Sequence, residues 1–318
     1  MSFIEQPGLG KKVAIVGVPL GFGAGQTGSE LGVDAMRLSR IRGRYLHEHI
    51  ADLGYEIIDT GDVEITKPQK PASPSENPKY VAEMSSSSMA AAAAVKASLE
   101  NDAIPVILGG DHSIAIGTFS GLASASRAGG NDLGLIWFDA HADINTPESS
   151  GTGNIHGMPL AVLLGEGVPE LTDIEGFKPK LKPEYFAHIG ARDLDSGERR
   201  RVHEHGLRDH FFTMSDIDER GMLACVTDAI TIASKASGGF AVTFDVDMID
   251  PRFAPGSGTL VRGGTTYREA HLALELIAKH GGMRSFEIVE VNPLLDQSNI
   301  TVELACELIL SALGKTIL

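Results

Sequence analysis

The chain has 318 residues, of which 42% are hydrophobic and 22% charged, and its formal net charge is −15 at pH 7. This composition indicates a globular protein with a large core, and the excess of acidic residues argues against a nucleic-acid-binding surface and favours small or cationic ligands. The two cysteines and the lack of any CxxC pair support neither a disulfide scaffold nor a zinc module, and they fit a reducing compartment.

The N-terminal segment, residues 1–20, lacks the basic region, the long apolar stretch and the cleavage site of a signal peptide. No window of the sequence approaches the roughly 18 uninterrupted apolar residues that indicate a transmembrane helix. We therefore expect a cytoplasmic protein with no membrane partner.

Short β-branched or aromatic runs recur along the chain and predict about eight buried strands. In chain order they are 12–18, 55–61, 104–110, 133–139, 185–191, 210–214, 239–247 and 285–291. Helix-compatible segments lie between most of them, at 79–101, 113–127, 159–165, 196–206, 215–236, 266–281 and 299–313. This alternation predicts one α/β domain over residues 1–318, with a mostly parallel sheet covered on both faces. A Pro- and Ser-rich run at 68–78 is interpreted as a surface loop.

Acidic residues and histidines follow four of the predicted strands, at the point where each apolar run ends. They lie in residues 105–113, 137–146, 238–251 and 285–293. In the second segment Asp139, His141 and Asp143 occupy alternate positions, and alternate side chains of an extended segment share one face. Buried carboxylates are costly unless a cation or hydrogen bonds compensate them, and ligands of parallel sheets collect at the carboxyl ends of strands. The pattern therefore predicts a polynuclear metal site.

The candidate metal ligands are two imidazoles and four carboxylates, too many for one small ion. They are His112, Asp139, His141, Asp143, Asp245 and Asp247. Hard oxygen donors with two histidines and no thiolate favour Mn(II), with Fe, Co, Ni or Zn as alternatives. Two ions that share carboxylates would lie about 3.5–4 Å apart and could hold a bridging hydroxide.

Five ordered motifs resemble the signature of the ureohydrolases, the arginase and agmatinase family. They are GGDHS at 109–113, DAHAD at 139–143, GNIHGMP at 153–159, FDVDMIDP at 244–251 and EVNP at 290–293. The resemblance covers nearly the whole chain, from residues 13–19 to the last predicted helix. It implies a three-layer α/β/α arrangement that assembles as a homo-trimer or homo-hexamer.

The resemblance also assigns roles within the metal site, with two Mn²⁺ ions per subunit. One ion would be bound by His112, Asp139, Asp143 and Asp245, and the second by His141, Asp139, Asp245 and Asp247. A metal-bridging hydroxide would attack the guanidinium carbon of the substrate, releasing urea and an amine. Glu290 would pair with the guanidinium, Asp143 would accept the hydroxide proton, and His156 would be the proton shuttle.

Two further segments resemble those with which arginases bind the α-carboxylate and α-amino groups of L-arginine. Asn145, Thr152 and Asn154 would reach its α-carboxylate, Asp195 its α-amino group, and Glu198 would act through water. Thr259 completes the expected substrate-binding set. Agmatinases usually show SHG in place of the SGN-x-HG type of loop and lack the RDxDxGE run, so the resemblance favours arginase activity that yields L-ornithine and urea.

Several alternatives stay open at this point. Thr152 stands where arginases usually have Ser and Arg262 is an addition, so an agmatinase-like or guanidino-acid hydrolase is the next candidate, followed by formimidoylglutamase and a silent arginine-sensing regulator. The alternative for Asp195 and Glu198 is an ordinary helix start. His156 could be a packed histidine. Orienting or structural roles are expected for three further acidic residues, namely Asp111, Asp250 and Glu287.

Overall fold

The structure is a computed structural model and describes residues 6–73 and 75–317. The interpretation of the N-terminal segment falls partly on residues 1–5, which lie outside the described residues. Within the described ranges, no helix is both long enough and apolar enough to span a bilayer.

One parallel sheet of eight strands forms the centre of the fold. Its strands are β1 (Lys12–Val18), β2 (Glu56–Asp62), β3 (Ala103–Gly109), β4 (Gly134–Phe138), β5 (Phe186–Ile189), β6 (Phe211–Phe212), β7 (Phe240–Asp245) and β8 (Met283–Val289). The spatial order is β2-β1-β3-β8-β7-β4-β5-β6. A separate antiparallel ribbon pairs Arg40–Ile41 with Arg44–Tyr45.

Eleven α-helices are found among the described residues. They are α1 (Gly32–Leu38), α2 (Leu46–Asp52), α3 (Val81–Glu100), α4 (Ala115–Ala128), α5 (Pro159–Leu163), α6 (Pro169–Thr172), α7 (Ser196–Glu204), α8 (Met214–Arg220), α9 (Met222–Ala233), α10 (Tyr267–His280) and α11 (Ile300–Ala312).

The helices cover both faces of the sheet because successive strand residues point to opposite sides. In β4, Ile136 and Phe138 enter the core formed with α1, α2 and α8 to α11, whereas Leu135 and Trp137 enter the core formed with α3 to α7. The predicted three-layer α/β/α fold with a parallel sheet of about eight strands is therefore confirmed.

Three details differ from the sequence-based prediction. The helix predicted over 215–236 is two helices, because Gly221 has φ 79° and ψ 153°, outside the helical region. The strand predicted over 210–214 is only two residues long. Helices α1, α2 and α6 were not predicted, and all three are short, at seven, seven and four residues.

The four central strands, in the order β3-β8-β7-β4, carry the acidic motifs at their carboxyl ends. Asp245 is the last residue of β7, while Asp139 and Glu290 directly follow β4 and β8. His112 begins a short 3-10 turn after β3. Because parallel strands end at the same edge of a sheet, residues up to 178 positions apart come into contact there.

Candidate metal centre and active site

His112 is surrounded by carboxylate oxygens from two neighbouring strand ends. Its Nδ1 atom lies 3.0 Å from Oδ2 of Asp139, 3.1 Å from Oδ2 of Asp143 and 3.2 Å from Oδ2 of Asp245. All four side chains are buried. Despite this proximity, Nδ1 has no hydrogen-bond partner among the described residues. Three carboxylate oxygens thus face one imidazole nitrogen, and the ligand atoms of His112, Asp139 and Asp143 all lie within 4.8 Å of one another.

A second cluster shares Asp139 with the first. His141 Nδ1 lies 3.1 Å from Oδ2 of Asp247 and 3.4 Å from Oδ1 of Asp139. Asp139 therefore directs one oxygen to each cluster. The His141 side chain is 25% exposed, whereas that of Asp247 is fully buried, so the second cluster is the one nearer to solvent.

The spacing and the charge of these residues fit bound divalent cations. Ligand atoms lie about 2.0–2.2 Å from such ions, so neighbours in a tetrahedral or octahedral shell are about 2.8–3.6 Å apart. The distances from His112 and His141 fall in this range. Burial and the charge of Asp139 raise the pKa of Asp143 to about 7, and burial with Asp247 raises the pKa of Asp245 well above its usual value. Cations would relieve this repulsion.

Residues beneath His112 fix the orientation of its ring. The imidazole stacks on Trp137 at a centroid distance of 4.2 Å, and its Nε2 lies 3.0 Å from Oγ1 of Thr243. Thr243 Oγ1 in turn donates to Oε1 of Glu287 at 3.0 Å. Because Nε2 is engaged on this side, Nδ1 is directed at the carboxylates. Metal-binding histidines are usually oriented in this way, by a hydrogen bond to the ring nitrogen that does not bind the metal.

The aspartates of the site are held by similar contacts. Trp137 Nε1 donates to Oδ2 of Asp139 at 3.0 Å, and the backbone N–H of Ala140 donates to Oδ1 of Asp247 at 3.1 Å. Thr259, expected to bind substrate, donates its hydroxyl to Oδ2 of Asp247 at 2.9 Å. The structure thus places Thr259 on a candidate metal ligand, and its contact with substrate stays a prediction.

Glu290 and His156 form a pair beside the first cluster. Glu290 Oε1 accepts a hydrogen bond from the backbone N–H of His112 at 2.9 Å and lies 3.2 Å from Nδ1 of His156. Burial opposes a charged imidazole, but Glu290, with Asp143 and Asp111, outweighs it and raises the pKa of His156 to about 9. Cations bound among the carboxylates would act in the opposite direction and lower this pKa.

Asp143 and Glu290 both have left-handed backbones, with φ of 52° and 62°. This conformation is unfavourable for residues with a β-carbon and persists where surrounding contacts enforce it, often at active sites. Two acidic residues with expected catalytic roles share this feature.

Asp111 connects the site to the glycine-rich loop at 21–28. Its Oδ2 accepts hydrogen bonds from the backbone N–H groups of Gly23, at 2.8 Å, and Ala24, at 3.1 Å. Its Oδ1 accepts from the N–H of Ser113 at 3.0 Å. The side chain is fully buried, and burial with the charge of Glu290 raises its pKa to about 6. Asp111 therefore orients backbone around the site and is not one of the converging ligands.

Asp195 and Glu198, expected at the α-amino group of the substrate, lie at the start of α7 together with Asn145, which is expected at the α-carboxylate. Asn145 Nδ2 donates to Oδ2 of Asp195 at 2.9 Å, and Asp195 Oδ1 accepts from the N–H of Glu198 at 2.9 Å. Glu198 Oε1 accepts from the N–H groups of Ala142, at 3.1 Å, and Asp143, at 3.0 Å. The helix start considered as the alternative is present as a capping box, and Glu198 also supports the Asp143 backbone.

The two remaining residues expected at the α-carboxylate lie on the adjoining loop. Thr152 is exposed, and its Oγ1 accepts from the N–H of Asn154 at 3.2 Å. Asn154 Oδ1 accepts a hydrogen bond from Nζ of Lys79 at 2.7 Å. This lysine lies 75 positions away in the sequence and was not predicted as part of the site.

Sequence reasoning also missed three residues that support the candidate ligands. Trp137 and Thr243 precede Asp139 and Asp245 by two positions, so strand periodicity places each pair on one face, and this signal could have identified them. Arg192 gives no such signal. Its guanidinium donates to four backbone carbonyls, including that of Asp247, and so braces the loops around the second cluster.

Comparison with known proteins is consistent with this geometry. The sequence profile of the arginase family matches residues 11–314. The arginase of Bacillus subtilis (strain 168) is 42% identical over 308 residues, which make up 97% of this chain and 99% of that protein. The structure of arginase from Bacillus caldovelox superimposes with a TM-score of 0.89 at 40% identity, covering 97% of this chain and 100% of that chain. The structure of Entamoeba histolytica arginase, solved in complex with L-ornithine, superimposes with a TM-score of 0.85 at 28% identity, and the match covers 98% of this chain and 100% of that chain.

The ureohydrolase resemblance is thereby confirmed, and the chain belongs to the arginase family of hydrolases.

Proposed function

We propose that this protein hydrolyses the guanidinium group of L-arginine to L-ornithine and urea with the help of two divalent cations. The observation that carries the proposal is the pair of ligand clusters joined by Asp139, whose two carboxylate oxygens face His112 and His141 separately. The family of the chain and the L-ornithine bound to one of its relatives support this choice of reaction.

The proposed ligands of the first cation are His112, Asp139, Asp143 and Asp245. Those of the second are His141, Asp139, Asp245 and Asp247. When bound, two such cations supply a water molecule whose pKa is low enough to provide hydroxide near neutral pH. Asp143 is the proposed acceptor of the nucleophile's proton. Its Oδ2 faces the first cluster, at 3.1 Å from His112, and it is held from behind by Glu198.

Glu290 is the proposed partner of the substrate guanidinium. A cationic guanidinium would be repelled by two dications, and a carboxylate offsets this repulsion while its paired hydrogen bonds fix the carbon for attack. Glu290 Oε1 is already occupied by the His112 N–H and by His156, whereas Oε2 has no hydrogen-bond partner among the described residues. Oε2 is thus available to accept from the substrate.

His156 is the proposed proton shuttle. The leaving amine must be protonated, and the nucleophile must lose a proton in each cycle. The His156 side chain is 19% exposed, so it can exchange protons with solvent while its Nδ1 contacts Glu290. Bound cations would lower the raised pKa of this imidazole, and a group that titrates closer to neutrality suits both transfers.

We assign the preference for L-arginine over agmatine, which lacks the α-carboxylate, to the residues near α7 and on the loop at 145–154. Asp195 would accept hydrogen bonds from the α-amino group, and Asn145, Thr152 and Asn154 would bind the α-carboxylate. Asn145 and Asp195 already contact each other at 2.9 Å, which supports one continuous recognition surface. Glu198 completes this set through water, in addition to its backbone contacts.

Manganese is the proposed cation because the ligand set consists of oxygen donors and two imidazoles without a thiolate. A cytoplasmic location is proposed because both cysteines, Cys225 and Cys306, are free and buried. A homo-trimer or homo-hexamer is proposed from the resemblance to the family. Light scattering coupled to size-exclusion chromatography measures the number of subunits directly.

The proposal is tested by urea release from manganese-reconstituted protein with L-arginine, agmatine, guanidinobutyrate and guanidinopropionate at matched concentrations. We expect a strong preference for L-arginine. A preference for agmatine or for a guanidino acid would keep the two-cation chemistry but assign a different substrate. Arginine binding without urea release from any compound would indicate the silent sensor.

A further inference from the structure

Lys79 is a half-buried cation with no acidic partner among the described residues, and it contacts a residue of the proposed substrate-carboxylate site. Its Nζ donates to Oδ1 of Asn154 at 2.7 Å. In the part of the chain that the structure describes, no carboxylate lies within 4.0 Å of this ammonium, although the chain carries 42 acidic residues against 27 basic ones. A cation that is partly removed from water and unpaired is favoured by an anion at the same place.

The contact determines which way the Asn154 amide faces. An ammonium group can only donate hydrogen bonds, so it requires the carbonyl oxygen of the amide on its side. The amide nitrogen then faces away from Lys79, toward the glycine-rich loop, where a β-carbon on Gly25 would lie 2.9 Å from Asn154 Nδ2. A donor in this orientation suits a carboxylate, whereas the reversed amide would present an oxygen to it.

The backbone around Lys79 is fixed to the same loop. Its N–H donates to the carbonyl oxygen of Gly153 at 2.9 Å, and Asn77 Nδ2 donates to the carbonyl oxygen of Pro147 at 2.7 Å. Gly153 has φ 72°, and a β-carbon there would lie 2.9 Å from the carbonyl oxygen of Glu76. The segment at 76–79 and the loop at 147–154 are therefore in close contact, and this contact holds the Lys79 ammonium beside Asn154.

We propose that Lys79 is a positioning residue for the α-carboxylate of the substrate. It holds the Asn154 amide with its nitrogen toward the carboxylate and adds positive charge at that end of the site. Lys79 thereby contributes to discrimination between L-arginine and agmatine, which lacks the carboxylate. This inference rests on the proposed function, because it takes Asn154 as a carboxylate-binding residue.

The test compares Lys79→Met with Lys79→Arg and with the control Lys67→Met in the manganese-loaded protein. Lys67 is an exposed lysine that lines a neighbouring cavity of about 420 Å³ and has no contact with Asn154. For Lys79→Met we expect KM for L-arginine to rise about 10–100-fold, as for loss of a charge-assisted hydrogen bond, with kcat little changed. Lys79→Arg and Lys67→Met should remain within about threefold of the parent.

Agmatine hydrolysis and product binding separate a specific role from a structural one. Activity on agmatine should be the same in the parent and in Lys79→Met, and calorimetry should show weaker binding of L-ornithine but unchanged binding of putrescine. Equal losses with both substrates, a fall in kcat, or unchanged L-ornithine affinity would overturn the inference. Lys79→Gln provides the same comparison if the Met variant does not fold.

Failure of the proposed function is recognised independently, from the parent protein alone. If the parent releases urea from agmatine but not from L-arginine, the proposed substrate is wrong. The role of Lys79 is then decided by calorimetry. A loss of L-ornithine binding in Lys79→Met, with putrescine binding kept, supports the role, and equal binding of the two ligands by the parent overturns it.

Discussion

Replacing Glu290 with Gln separates binding of the guanidinium from binding of the cations. Gln has the same shape and retains the oxygen that accepts from the His112 N–H at 2.9 Å. It replaces the second carboxylate oxygen with an amide nitrogen, which would face the N–H donors of the guanidinium. Since Glu290 has no position within the two ligand clusters, the cations should remain bound.

The size of the effect follows from the burial of this carboxylate. Glu290 is only 3% exposed, so its charge is poorly screened by solvent. Removing one partner of a buried, hydrogen-bonded charge pair costs about 2–5 kcal/mol. Because each 1.36 kcal/mol is a factor of ten, kcat/KM for L-arginine should fall about 30-fold to 5,000-fold.

The assay measures urea release over a range of L-arginine concentrations, together with manganese content after gel filtration. Glu287→Gln is a matched control, since Glu287 is fully buried on β8, three positions before Glu290, but contacts Thr118 and Thr243. This control should weaken manganese binding, and saturating manganese should restore its turnover. Loss of manganese from Glu290→Gln, or a kcat/KM within about threefold of the parent, would refute the assigned role.

Three further predictions concern the cations and pH. Asp139→Ala should abolish both manganese binding and urea release, because Asp139 faces both clusters; metal analysis and activity measure this, and retained turnover would contradict the shared-ligand arrangement. Thr243→Val should weaken manganese binding about 10–100-fold, because it removes the contact that orients His112; a titration with manganese measures this, and an unchanged affinity would show that ring stacking alone suffices. In the cation-free protein, the pKa of His156 is raised from its ordinary 6.5 to about 9, so the native state holds this proton more tightly than the unfolded state does. The associated stability, at most about 3 kcal/mol, is present below about pH 6.5 and is lost as pH rises toward 9. Thermal unfolding across this range should show the decline, and Glu290→Gln should flatten it.

Much of the candidate metal centre could be predicted from the sequence because the pattern that indicates it lies within short segments. Asp139, His141 and Asp143 alternate at one strand end, as do Asp245 and Asp247 at another, and parallel strands bring such ends to one edge. Adjacency of the strands follows from topology, which alternation alone does not determine. The order β3-β8-β7-β4 is what brings Asp139 and Asp245 to the same histidine.

The supporting residues could be predicted less well because their contacts are long-range. Lys79 meets Asn154 across 75 positions, and Arg192 reaches the carbonyl of Asp247 across 55. Neither residue has a neighbour in sequence that indicates its partner. The break between α8 and α9 at Gly221 could not be predicted for a different reason. The apolar pattern continues through Gly221, whereas its backbone conformation does not allow a helix.

The start of α7 links helix formation to the proposed chemistry. Asp195 and Glu198 form a capping box, a common way to satisfy the free N–H groups of a first helical turn. Here Glu198 accepts in addition from the N–H groups of Ala142 and Asp143.

Those extra contacts explain how Asp143 keeps its left-handed backbone. A residue in this region costs about 1–3 kcal/mol and needs contacts that exclude other conformations. The Asp143 N–H is bound to Glu198 at 3.0 Å, and its carbonyl accepts from the N–H of Leu160 at 2.9 Å. Glu290 is held in the same way, by its N–H bond to the carbonyl of Gly110 at 2.8 Å. The helix start and the strand ends therefore hold the two acidic residues in conformations that the isolated chain would not favour.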